Sequence, residues 1–72
     1  MNVEQIMQAS FRDCEHSERV RSVLSAAENG DGKNARAMAS LLGASLNGVH
    51  RYALFDAIDA LLQQEKQKRT AA

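Results

Sequence analysis

The chain has 72 residues, nine basic and nine acidic, so its formal net charge is zero. That length allows one domain at most, and the zero balance argues against a strongly basic nucleic-acid binder. A core this small buries only about 60% of the surface its unfolded chain exposes. With a single cysteine and no cluster of metal ligands to staple it, self-association is the expected source of extra burial.

Proline and tryptophan are absent, and Ala, Leu, Glu, Gln, Arg and Met are plentiful. These are good helix formers. No run alternates β-branched residues with period two, so the expected fold is all-α. Cys14 cannot form an internal disulfide, which fits a reducing compartment. The first fifteen residues carry Glu4, Arg12, Asp13 and Glu15 and do not resemble a signal sequence. No segment approaches the run of about eighteen apolar residues that spans a membrane. The expected location is cytoplasmic, with no membrane association and no cofactor.

In chain order, Asn2 caps a first helix whose apolar stripe is Val3, Ile6, Met7, Ser10, Phe11 and Cys14. The stripe resumes at Val20, Val23, Leu24 and Ala27, but out of phase. Two helices therefore meet near His16 and Ser17, with Ser17 as the second N-cap. Asn29-Gly30-Asp31-Gly32 is a helix stop and loop. Asn34 caps a third helix that runs to about Leu42 and ends at Gly43. Ser45 caps a fourth, which continues to about Gln67. The expected domain is 1–67, followed by a polar tail at 68–72 whose Lys68 and Arg69, with Lys66, suit a helix C-terminus.

The fourth helix carries apolar residues on more than one face. Phe55, Ile58, Leu61 and Leu62 are the expected interface with a second copy or a protein partner. Charge is also unevenly spread. Residues 1–31 hold six acids and three bases. From Gly32 to Phe55 there are Lys33, Arg36 and Arg51 and no acid.

The stretch Asn34–Leu54 meets the needs of a helix-turn-helix in order. Ala39 is small where the helices cross, Gly43 sits at the corner, and Val49 and Tyr52 are expected to face inward. That leaves Ser45, Leu46, Asn47, His50 and Arg51 outside. Asn and Arg match adenine and guanine edges. Ser45 and the helix N-terminus suit a phosphate, and Lys33 and Arg36 suit the DNA backbone. The expected DNA-binding set is Lys33, Arg36, Ser45, Asn47, His50 and Arg51.

Asn34, Ala39, Leu41-Leu42-Gly43, Ser45, Asn47 and Arg51 resemble the helix-turn-helix of the factor-for-inversion-stimulation type over about twenty residues. The resemblance implies a four-helix domain whose two upstream helices dimerise and whose last pair binds double-stranded DNA. It implies a regulator of transcription or recombination. The residues also fit a second reading, a small helical protein-binding inhibitor or adaptor of bacteriophage type. Enzyme activity is not expected. His16 and His50 lack metal-ligand spacing, and Cys14 reads as a buried thiol. Asp56 and Asp59 read as a solvated helix face. The exposure of Leu46 separates the two main readings. Exposed together with the Tyr52–Leu62 ridge it favours a protein partner, and alone beside Asn47 and Arg51 it favours DNA.

Overall fold

Each helix starts and stops where its capping chemistry allows. The computed structural model describes residues 2–71, with side chains through Gln67, and contains α1 (Val3–Ser10), α2 (Ser17–Glu28), α3 (Gly32–Gly43) and α4 (Gly48–Ala71). No strand occurs among the described residues, so the domain is all-α.

Asn2 caps α1 as expected. Its Oδ1 accepts the Gln5 backbone N–H at 2.9 Å while Gln5 Oε1 accepts the Asn2 N–H at 3.0 Å, which satisfies two terminal donors at once. α1 ends at Ser10, earlier than its apolar stripe. Phe11 and Cys14 fall in the connector but stay buried, because the chain folds back with Cys14 N–H donating to the Phe11 carbonyl. Ser17 is not the cap of α2. It is the first helical residue, and His16 occupies the cap position without a side-chain bond.

α2 ends in a Schellman motif. Gly30 N–H reaches the Ala27 carbonyl at 3.0 Å, and Asp31 N–H reaches that of Ala26 at 2.9 Å. This needs a left-handed residue, and Gly30 supplies it with φ 84°. Asp31 then caps α3 directly, its Oδ1 accepting the Asn34 N–H at 3.3 Å. The expected cap at Asn34 is thus displaced by three residues, because Asp31 is the first acceptor to follow the glycine. The cap of α4 moves in the same way. Asn47 Oδ1 accepts the His50 N–H at 2.8 Å, while Ser45 lies in the turn. α4 continues as helix to Ala71, past the expected end at Gln67; the side chains of Lys68 and Arg69 lie outside the described residues.

α2 packs against each of the other helices and forms the centre of the bundle. Its Val20, Leu24 and Ala27 are fully buried, with Phe11, Ala35, Ala39, Leu54, Ile58 and Leu61 around them. Burying each Leu or Ile contributes about 1.5–3 kcal/mol. Among the described residues, no polar or charged side chain is buried. An ion pair between Glu4 and Arg21 ties α1 to the outside of α2.

Candidate functional site

α3 and α4 lie side by side. Three contacts mark their register: a Cβ at Gly32 would meet Leu62, Arg36 pairs with Asp59, and a Cβ at Gly43 would meet Arg51. The paired numbers sum to 94, 95 and 94, the pattern of antiparallel neighbours. The three contacts run the length of α3, so α4 stays beside it in antiparallel sense from Arg51 to Leu62. Gly43 keeps helical geometry, since Gly30 is the one described residue with a left-handed φ. What Gly43 allows is the close approach of the Arg51 side chain, 3.2 Å from where its Cβ would be.

The rotation of α4 follows from its apolar spacing. Leu54, Ala57, Ile58 and Leu61 recur at i, i+3, i+4 and i+7 and turn one face into the core. At about 100° per residue, Val49 and Tyr52 then lie some 140° and 160° from Leu54. They are 77% and 81% exposed, so the expectation that both face inward is overturned. Leu46, expected outside, is half-buried and packs on the core in their place. The discriminating arrangement therefore occurs in neither form. Leu46 is not exposed, and the ridge after Tyr52 is largely inside.

Two of the four expected interface residues are removed by the same rotation. Ile58 and Leu61 are 0% and 1% exposed and belong to the protein's own core. Phe55 and Leu62 are half-buried and lie against that core, leaving part of each at the surface.

The expected DNA-binding residues are scattered in role. Lys33, Ser45 and Arg51 are exposed. Arg36 is engaged by Asp59 at 2.9 Å across the α3–α4 seam. Asn47 uses its carbonyl oxygen as the α4 cap. His50 is half-buried, with its ring 5.8 Å from that of Phe11. The acid-free run of sequence does not make an acid-free surface. Asp13 and Glu15 from the α1–α2 connector line one cleft with Ser45, Asn47 and His50. Asp56 and Asp59 line another with Arg51 and Tyr52.

Leu41 was not among the expected site residues, yet it is 81% exposed. It borders a shallow groove between α2 and α3 with Arg19, Val23, Met38 and Leu42. Its phase carries the signal: at about 100° per residue it lies some 160° from Ala39 and 100° from Leu42, off the buried stripe of Ala35, Ala39 and Leu42. Cys14 is buried as expected. Among the described residues, no three His, Cys, Asp or Glu side chains gather where they could hold a metal ion. None of the helices is long and apolar enough to cross a membrane, within the same residues. No protein-family model matches the chain, and neither a characterised protein nor a solved structure shows significant similarity to it.

Proposed function

We propose that the protein is a small helical protein-binding module of the inhibitor or adaptor kind. The exposure of Leu41, Val49 and Tyr52 carries this reading. Each is a large apolar side chain held in water by a fold whose core is already closed. Leu41 adjoins Met38 and Leu42 in one groove and Tyr52 adjoins Phe55 in another, and apolar patches of this kind support an interaction role. The groove beside Leu41 has an apolar floor of Val23, Met38 and Leu42 and a cationic rim at Arg19. It suits an apolar side chain presented on a segment that also carries an acid. Self-association belongs to the same reading, because a core of this size gains from further burial. The unpaired Cys14 thiol suits action in the reducing cytoplasm.

The test is a photo-crosslinker placed at Leu41 in the full chain and exposed to a lysate of the source cells. One defined protein should be captured, and the same protein should be lost from affinity capture by Leu41→Asp while helical content stays unchanged. Equal capture by Leu41→Asp refutes the reading.

A DNA-binding regulator is the second reading. It is favoured by the exposure of Lys33, Ser45 and Arg51 along a stretch without an acid of its own. Asp13, Glu15 and the Arg36–Asp59 pair weaken it, since phosphate contact depends on uncompensated cations. Binding to random duplex DNA at about 50 and 200 mM salt tests it, because several phosphate contacts imply a loss of orders of magnitude over that range. Absence of binding at the lower salt removes it.

A further inference from the structure

We infer that the outer face of α4 binds the same face of a second copy, antiparallel, about a two-fold axis near Phe55. The inference rests on the reading of the chain as an interaction module and names one of its partners. Gly48, Arg51, Tyr52, Phe55, Asp56 and Asp59 line one groove along this helix. Tyr52 is 81% exposed and Phe55 is half-buried, so the middle of the groove is aromatic. The ends differ in charge: Arg51 stands at one, and at the other Asp59 is partly offset by Arg36, with Asp56 nearer the middle. Arg51 lies four residues before Phe55, and Asp59 lies four residues after it.

A two-fold interface brings residue i onto residue j and j onto i. Antiparallel pairing about Phe55 therefore sets Arg51 of each copy against Asp59 of the other, with Asp56 close by. Phe55 of each copy meets Phe55 of the other at the axis, with the two Tyr52 rings flanking that pair. Parallel pairing sets Arg51 against Arg51 and Asp59 against Asp59, which like charges oppose. The charge order along the helix thus selects a second copy in one orientation. Arg51 and Asp56 have no ion-pair partner among the described residues. Asp59 holds Arg36 with one oxygen and retains a second. Gly48 leaves open space at the end of the groove, where a Cβ would meet nothing within 4 Å.

The experiment is sedimentation of the full chain from about 10 µM to about 1 mM, a range that spans weak association. The wild type should move from 7.9 kDa towards twice that mass. Arg51→Asp puts acid against acid and Asp59→Lys puts base against base, so each alone should weaken self-association about tenfold or more. Mixed in equal amounts, they should form a heterodimer, because both cross-pairs are then opposite in sign. Recovery on mixing also shows that both variants are folded. A wild type that stays at 7.9 kDa across the range, or a dimer indifferent to both substitutions, overturns the inference. Failure to recover on mixing, when circular dichroism shows both variants helical, also overturns it. Capture at Leu41 is scored separately. A monomer that still captures a partner refutes the dimer alone, and a dimer that captures nothing refutes the module that uses the Leu41 groove.

Discussion

Arg36 Nη2 lies 2.9 Å from Asp59 Oδ1, twenty-three residues away in sequence, and pins the middle of α3 to α4. Both side chains are more than half exposed, at 56% and 62%. Water and salt screen such a pair, and its stabilisation is about 0–1 kcal/mol. A double-mutant cycle of Arg36→Ala and Asp59→Ala should give a coupling within that range by urea denaturation. The coupling should shrink as salt rises through the screening regime. A coupling well above it would mean that the pair is shielded from solvent, contrary to its exposure.

Two glycines should respond oppositely to alanine. Gly30→Ala forces a side chain into the left-handed region at φ 84° and should destabilise by about 1 kcal/mol. Gly48→Ala adds a methyl group to open space at the first residue of α4 and should be neutral or stabilising by up to about 1 kcal/mol. Thermal unfolding of the two variants separates these signs directly.

Most of the helix count was legible because local chemistry states it. The Asn2 cap, the Asn29-Gly30 stop and the phase break between Cys14 and Val20 each lie within a few residues of the structure they specify. The rotation of α4 was not legible from 34–54 alone. Its phase is set by Leu54, Ala57, Ile58 and Leu61 acting together against α2 and α3, and that stripe outvotes Val49 and Tyr52. The electrostatics of the candidate site were hidden for a related reason. Asp13 and Glu15 are distant in sequence from Ser45 and Asn47, and Asp59 from Arg36, and only the packing brings them together.

Asn47 has a structural role beside the base contact expected from the sequence. Read as a base contact, its side chain serves a ligand. In the structure its carbonyl oxygen accepts the His50 N–H at 2.8 Å and starts α4. Asn47→Ala should therefore cost about 0.5–2 kcal/mol in the absence of any partner, with Asn47→Asp retaining most of the stability. Urea midpoints of the two variants check this. Equal stability of Asn47→Ala and the wild type would mean that the cap is not formed.

The facing of α4 is the feature on which both functional readings depend, and substitution measures it directly. Val49 and Tyr52 are exposed, so Val49→Ala and Tyr52→Ala in dilute protein should change unfolding free energy by no more than about 0.5 kcal/mol. Ile58 is fully buried between α4 and the rest of the core, and Ile58→Ala should cost about 2–5 kcal/mol through lost burial and a cavity. In a steeply crossed pair with Val49 and Tyr52 inside, the ranking changes: Val49→Ala then costs a core methyl pair and Tyr52→Ala a core ring. Chemical denaturation of these three variants beside the wild type distinguishes the two arrangements without any ligand. Large losses at Val49 and Tyr52 would reject the antiparallel hairpin and with it the aromatic face assigned to the dimer.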